Sequence, residues 1–559
     1  MRIFIFKKKT IAGLFLLIIA LLLIPIIAPF FHRGFFPTHD DVQTVRIFES
    51  YQAIKFGGFP LRWSSGLLYG HGYPLFIFYP PLPYLIGAGF VFLGANFLIA
   101  TKIVFLLAFF LGALGMFLLI KDLFGKIPAL TAAIVFSYAP YRAVDVYVRG
   151  NLAEFFAFSL FPFVLWTNWR LLKNRSFVWL PLFSLSLALL SLTHNISFVL
   201  FIFFLGLFNL IVFLDLDEKK TKVLKVFGGV LLAAMLSCFF WLPLINETQF
   251  VNLGNFSSYP YEQYFVELKQ LWDSPWGYGG FLKEQPMSLQ IGKTLIIFSI
   301  TAFVLGFFRK RDFIKKMLFL FTSMFFFSIL MTTKYSSLIW KNLPFLAFFQ
   351  FPWRFHLLIT FCGAVLNSLL VYYLDKNFKK RKVRDLVIYG FAVVVIILTI
   401  IENYGFFRPK LYWRPLSVSE TTTWDDEYLP RWVKIKPKNY EGEKIKIIDG
   451  KGEIKNTEWG YLKKDFIFIG EKESSVELAH IYYPGWKAFV NGEKKEIDYQ
   501  NDRGLMRLQL PEGRSFVQVR FLRTPVRLIA EIISTIGLFI LVFLFFNGFK
   551  KCRIDLKHK

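Results

Sequence analysis

Cysteine is almost missing from this chain: Cys238, Cys362 and Cys552 are the three in 559 residues. All three sit in or beside apolar segments, which excludes a disulfide framework and a cysteine-built metal cage. Charge is scarce as well. Asp, Glu, Lys and Arg make up 18% of the chain, too little to coat a soluble fold of this length. Acidic residues are the scarcer sign, 38 against 65 basic, for a formal net charge of +27. That surplus does not read as a nucleic-acid surface, because Lys and Arg gather in short connections between apolar runs. There is no P-loop, dinucleotide fingerprint, serine-hydrolase elbow or zinc-protease motif. No basic connection is long enough to house an ATPase domain.

What is present is apolar and aromatic: 55% hydrophobic residues, 71 of them Phe. Runs long enough to cross a hydrocarbon core of about 30 Å recur along the chain. We expect an all-α polytopic membrane protein of about 12 transmembrane helices. The spans are placed near 11–31, 97–120, 127–143, 155–170, 177–193, 196–214, 224–245, 292–308, 314–331, 354–374, 386–405 and 525–547. Lys7-Lys8-Lys9 precedes the first run, which reads as a retained signal anchor rather than a cleaved leader. The connections at Lys121–Lys126, Arg170–Arg175, Lys219–Lys225, Arg309–Lys316, Lys376–Arg384 and Lys550–Lys559 are basic. They put both termini in the cytoplasm and the remaining connections outside. Residues 79–96 are apolar too, but a further crossing there would invert every later basic loop. Parity, with Tyr79-Pro80-Pro81-Leu82-Pro83-Tyr84 at its start, makes this an interfacial or re-entrant helix.

The domain plan is a transmembrane part over 1–405 with a first outer loop at 32–96, then an extracytoplasmic β-rich domain at 406–523. A final helix and basic tail occupy 524–559. Lys444–Ile447 and Phe516–Arg520 alternate with period two, as strands do. Asn491-Gly492 reads as a hairpin turn between Ala488–Val490 and Glu496–Tyr499. Sequons at Asn246 and Asn255 matter only in a glycosylating compartment.

Five polar sites fall on the expected outer side, where ionisable groups beside membrane helices usually have work to do. His39-Asp40-Asp41 can bind a divalent cation or take a proton from a hydroxyl, and can equally begin a helix. Gly70-His71-Gly72-Tyr73-Pro74, leading to Tyr79, is either an aromatic loop on the membrane or a wall for a lipid-linked ligand. The segment from Tyr141-Arg142 through Asp145 to Arg149 and Glu154 offers guanidinium groups for a phosphate and a carboxylate for a metal. Its bland alternative is an ion-paired loop. Thr193-His194-Asn195 marks a tight outer turn, where a lone His is commonly structural. Arg354 and His356 begin a later helix, and Arg354 can snorkel or hold phosphate. Trp272, Trp276 and Tyr278 in the loop 246–291 are a weak sugar-binding signal.

Several of these stretches resemble the membrane proteins called 6-pyruvoyl-tetrahydropterin-synthase-related. They are Thr38-His39-Asp40-Asp41, Gly58-Phe59-Pro60-Leu61-Arg62-Trp63, Gly70–Pro74, Tyr79–Tyr84, Tyr147–Glu154 and Thr193-His194-Asn195. The tail, with Tyr482-Tyr483-Pro484-Gly485-Trp486 and Asn491-Gly492, is similar to the end of the related YfhO family. The name implies no pterin chemistry. A weaker resemblance reaches GT-C-type glycosyltransferases, whose first-loop acid, proline-rich stretch and second-loop acid correspond to Asp40 or Asp41, Pro80-Pro81 and Glu154. An Asp-x-Asp in the second outer loop is lacking here.

That resemblance implies a GT-C-like fold and a glycosyltransferase using a sugar on a polyprenyl phosphate, for cell-envelope glycan or lipid modification. Asp40 and Asp41 are then the catalytic candidates. Arg149, Arg354, His71, Tyr79, His194 and His356 are the substrate-binding ones. His39, Asp40, Asp41 and Glu154 are candidate ligands of a divalent cation, Mg or Mn. The partners are membrane lipid, the lipid-linked donor and a glycan, lipid or protein acceptor, with no nucleic acid. Two other functions fit the same pattern: a non-catalytic scaffold for envelope assembly, and a lipid or sugar transporter. A transporter predicts charged or broken helices at mid-membrane, whereas the ionisable groups here sit at helix ends.

Overall fold

A computed structural model describes residues 2–173, 176–214, 217–252, 260–279, 286–308, 312–375, 381–413, 428–437 and 443–557. The sequon at Asn255 and parts of the basic connections (174–175, 309–311, 376–380) lie outside the described residues.

Fourteen helices of more than ten residues are described: α1 Arg2–Ile27, α2 Gln43–Lys55, α3 Leu82–Phe92, α4 Phe97–Phe124, α5 Lys126–Ser137, α6 Leu152–Lys173, α7 Trp179–Ser191, α8 Asn195–Leu214, α9 Lys219–Glu247, α10 Lys293–Phe307, α11 Phe313–Thr332, α12 His356–Asp375, α13 Arg381–Asn403 and α14 Pro525–Lys557. Nine stretches, in α1, α4, α6, α8, α9, α11, α12, α13 and α14, are long and apolar enough to cross a membrane. The chain is therefore a multi-pass membrane protein. The other three expected spans are the shorter apolar helices α5, α7 and α10. At 1.5 Å per residue α5 covers only about 18 Å of helix axis, and it is buried among neighbours along most of its length.

The segment 79–96 is not among the nine long apolar stretches. Its helix α3 has eleven residues and packs on α2. Gly87 allows that approach, since a Cβ there would lie 2.5 Å from Ile47. Helix α2 is not among them either. It lies in the first loop with Gln43, Arg46, Glu49 and Ser50 all buried.

Eight strands follow α13. Ile445–Asp449 (β1), Ser474–Ile481 (β4) and Leu505–Leu510 (β7) form one antiparallel sheet in the order β1-β4-β7. Gly452–Trp459 (β2), Lys463–Gly470 (β3), Trp486–Val490 (β5), Glu493–Lys495 (β6) and Gly513–Phe521 (β8) form the second, in the order β2-β3-β8-β5-β6. Alternation along β3 turns Phe466 and Phe468 inward, and β8 opposite contributes Val517 and Val519. These share one buried cluster with Val476, Leu478 and Leu508 of the other sheet.

The hairpin at Asn491-Gly492 is present, with φ of +52° and +87°, the signs a two-residue type I′ turn requires. Its second strand is Glu493–Lys495, earlier than the expected Glu496–Tyr499. A two-residue turn pairs Val490 directly with Glu493, so the ladder must begin there.

The sheets are fastened to the first loop. Trp63 Nε1 donates to His480 Nε2 at 3.1 Å, and the Trp63 ring meets Trp486 and Phe521 at 5.8 and 5.5 Å. Ile481 N donates to His71 O at 2.9 Å. Tyr461 Oη donates to Glu49 Oε2 at 2.6 Å. At the start of α14, Arg527 holds the Glu247 carboxylate at the end of α9 through two 2.8 Å bonds. The β domain, the first loop and one end of the helix bundle thus form a single packed unit.

Candidate functional site

The site is built where the first loop closes over the start of α6. Before α6 the chain runs through a π-helical turn, Val144–Arg149, then Gly150 at φ +65°. Left-handed backbone suits glycine, and here space demands it as well, because a Cβ would meet Thr38 Oγ1 at 2.1 Å. Asn151 Oδ1 accepts from Glu154 N at 2.9 Å, an N-cap worth about 1 kcal/mol. The first loop is strapped to this turn by His39 N donating to Val148 O at 3.0 Å and Asp40 N to Arg149 O at 2.8 Å.

Those caps aim a buried network. Arg149 donates Nη1 to Glu154 Oε1 at 2.5 Å and Nη2 to Oε2 at 3.0 Å. Nη1 also reaches Asp145 Oδ1 and Tyr141 Oη, both at 3.0 Å. Tyr141 Oη in turn donates to Glu154 Oε1 at 2.7 Å. From the short turn Pro352–Phe355 that leads into α12, Arg354 brings Nε to Glu154 Oε2 at 3.3 Å. Its Nη1 is held by Phe349 O and Gln350 Oε1, both at 2.8 Å. Taking such charges from water is affordable only when they are paired and hydrogen-bonded this densely.

A third cation enters from α2. Arg46 lies 4.0 Å over the Tyr79 ring and donates to Tyr84 Oη at 3.1 Å. Tyr84 Oη in turn donates to Gln43 Oε1 at 2.8 Å. Asp40, half-buried, is in electrostatic range of both Arg46 and Asp145. His194 is in range of Glu154, Arg354, Arg149 and Arg46, with Nδ1 2.8 Å from Ser197 Oγ. Asp40, Tyr79, Arg149, Glu154, His194 and Arg354, scattered over 315 positions, therefore converge at one end of the bundle.

Other expected site residues go elsewhere. Asp41 is exposed beside the cluster. His71 is at the β-domain seam instead of facing a ligand, because its carbonyl serves Ile481 and Gly72 abuts His480. His356 is stacked on Tyr141 at 5.2 Å, with its ring nitrogens facing Trp353 O and Leu289 O at 2.9 and 2.8 Å, so it props the network from behind. Arg142 cannot clamp a phosphate. It is fully buried among Phe109, Phe136, Phe155 and Phe158, 4.3–5.5 Å from the ring centres.

The set His39, Asp40, Asp41 and Glu154 does not assemble around a cation. Glu154 is chelated by Arg149, and His39 Nε2 is 2.6 Å from Tyr278 O. Among the described residues no group of three or more His, Cys, Asp or Glu side chains could hold a metal ion. Arg46 and Tyr84 were missed in the sequence. The available signal was the i, i+3, i+7 row of Gln43, Arg46 and Ser50 on a short helix.

Residues 76–407, more than half the chain, match the family described as the 6-pyruvoyl-tetrahydropterin synthase related domain, a membrane protein family. The chain belongs to this family. The match runs from the Tyr79 loop to the end of α13 and takes in Arg149, Glu154, His194 and Arg354. A curated relative is an uncharacterized protein of Lactococcus lactis subsp. cremoris (strain MG1363), 25% identical over 241 residues. That alignment covers 41% of this chain and 39% of the relative, so the chain spans about two fifths of the curated relative it matches. Among solved structures, the arabinofuranosyltransferase AftD from Mycobacteria is similar at 12% identity and a TM-score of 0.48, over 72% of this chain and 27% of that one. The archaeal oligosaccharyltransferase AglB from Archaeoglobus fulgidus, solved with an inhibitory peptide and a dolichol-phosphate, is similar at 12% identity and a TM-score of 0.47. It is matched over 73% of this chain and 57% of its own length.

Proposed function

We propose that this protein is a membrane glycosyltransferase that moves a sugar from a polyprenyl-phosphate donor to a hydroxyl of a cell-envelope glycan, lipid or protein at the outer face of the membrane. The observation that carries the reading is the convergence of Asp40, Arg46, Tyr79, Arg149, Glu154, His194 and Arg354 at the end of an apolar bundle. Charge of both signs beside lipid-facing helices suits a substrate with a charged head and a long apolar tail. The positive-inside pattern of the basic connections supports an outer position for that end, with both termini in the cytoplasm.

In this reading Asp40 is the general base. It takes the acceptor proton as the acceptor oxygen bonds to the anomeric carbon, and the bond from that carbon to the phosphate oxygen breaks. The electron pair leaves with the lipid phosphate. Arg46 and Arg354 stabilise that charge, Arg354 through Nη2 because its Nε and Nη1 are already committed. Arg149 holds Glu154, and Glu154 fixes Arg354. Tyr79 holds Arg46 in place and offers a face for the sugar. No step uses a cation.

The test is the profile of envelope glycans and lipid-linked sugars in a deletion strain. Loss of a glycan, or a lipid-linked sugar that accumulates and is cleared by the wild-type chain, is expected. An unchanged profile in the deletion overturns the transferase and leaves the scaffold.

A further inference from the structure

A cavity of about 380 Å³ opens between the first loop, the β domain and the start of α14. It is lined by Phe59, Arg62, Trp63, Arg523, Arg527 and Glu531, among others. Three guanidinium groups and one carboxylate therefore face one small space. Arg527 spends Nε and Nη2 on Glu247, but its Nη1 is buried without a hydrogen-bond partner. Arg62 donates Nη2 to Phe239 O at 2.7 Å, and its Nε is likewise buried and unpartnered. Glu531 is shared between Arg62 at 3.5 Å and Arg523 at 2.9 Å.

Counting Glu247, three positive charges meet two negative ones, so the wall keeps one positive charge in excess. Burial and then the like charge of Arg527 lower the Arg62 pKa to about 10, so an anion between the two arginines would relieve both. Buried donors without partners are costly, and a bound anion is one way to satisfy them.

We infer that this cavity binds the phosphate of an anionic membrane lipid, with the acyl chains lying along α14. The helix begins to span at Pro525, and only 17% of its membrane window is buried. Leu528, Ile532 and Phe539 form an exposed stripe along α14 beside Glu531, and Phe59 is exposed at the cavity rim. Head-group chemistry and tail surface are thus continuous, which a site for free phosphate does not need. Arginine forks match phosphate oxygens in geometry as well as in charge. The inference does not rest on the transferase reading.

The test uses the purified full-length protein in neutral detergent. Its thermal unfolding is followed while phosphatidylglycerol, phosphatidylcholine or inorganic phosphate is added. Saturable stabilisation by phosphatidylglycerol alone is expected. Arg62→Gln and Arg523→Gln should each weaken it roughly tenfold, the loss of one charge-assisted hydrogen bond. Glu531→Gln should strengthen it, because a competing carboxylate is gone. Arg523 is 61% exposed, so its replacement leaves the fold intact even if Arg62→Gln does not. Equal stabilisation by inorganic phosphate would make this a free-phosphate site and overturn the lipid assignment. Equal response to both lipids, or unaltered binding in Arg523→Gln and Glu531→Gln, would overturn the site itself.

Discussion

Arg149 and Glu154 grip each other through both arms of the guanidinium, at 2.5 and 3.0 Å, across the left-handed corner at Gly150. Each side chain is nearly sealed from solvent. Breaking such a pair strands a charge, so Arg149→Met should destabilise by about 3–5 kcal/mol. Adding Glu154→Leu should recover only part of that stability, because the pair is gone but Asp145 and Arg354 each lose a buried charge partner. Thermal unfolding of the two variants checks the order. Complementation should fail in both, since Glu154 also positions Arg354.

Gly150→Ala forces a Cβ toward Thr38 and strains the backbone. It should loosen the first loop, seen as faster proteolysis and hydrogen exchange over residues 32–45. Thr38→Ala in the same chain removes the steric part and should restore protection only partly, because the φ of +65° still costs about 1 kcal/mol or more for a residue with a Cβ.

Much of this architecture is legible in the sequence, and the reasons differ by element. The long spans follow from apolar length, and residues 79–96, to which parity gives no crossing, carry a helix of eleven residues. The strands Ile445–Asp449 and Gly513–Phe521 follow from alternation. The role of His71 does not, because a glycine-rich aromatic loop looks the same whether it faces a lipid or a β-sheet. Arg46 was hidden for a related reason. A polar row on a thirteen-residue helix reads as a solvated face, and only the packing of α3 over α2 buries it. Glu154 was legible as an acid, but its partners lie five and 200 positions away, and the more distant, Arg354, comes from another helix.

Arg142→Met separates a buried prop from a ligand-binding arginine. Its guanidinium sits among four phenylalanine rings with Nε and Nη1 unpartnered. An apolar side chain of similar length should keep stability and complementation near wild type. Arg354→Met should abolish complementation while the protein still reaches the membrane. Quantitative immunoblotting of membranes beside the glycan profile distinguishes the two.

The seam between the first loop and the β domain should depend on pH through Glu49. Burial raises its pKa from the usual 4.5 to about 7, against the lowering effect of bonds from Tyr461 and Gly66. The folded state then holds a proton that the unfolded chain releases. Stability is accordingly fullest below pH 4.5 and declines as pH rises to about 7, by an amount of the order of 3 kcal/mol. Glu49→Gln should flatten that decline and raise the unfolding midpoint above pH 7. An identical pH slope in the variant would assign it to another group.

The central claim is that a first-loop carboxylate is the catalytic base, and the structure separates the two candidates: Asp40 is half-buried beside Arg46 and Asp145, while Asp41 is exposed. The most direct measurement is glycan and lipid-linked-sugar profiling of the deletion strain complemented with Asp40→Asn or Asp41→Asn at matched protein levels. Failure of Asp40→Asn with rescue by Asp41→Asn is the predicted result. Full rescue by Asp40→Asn would contradict the account.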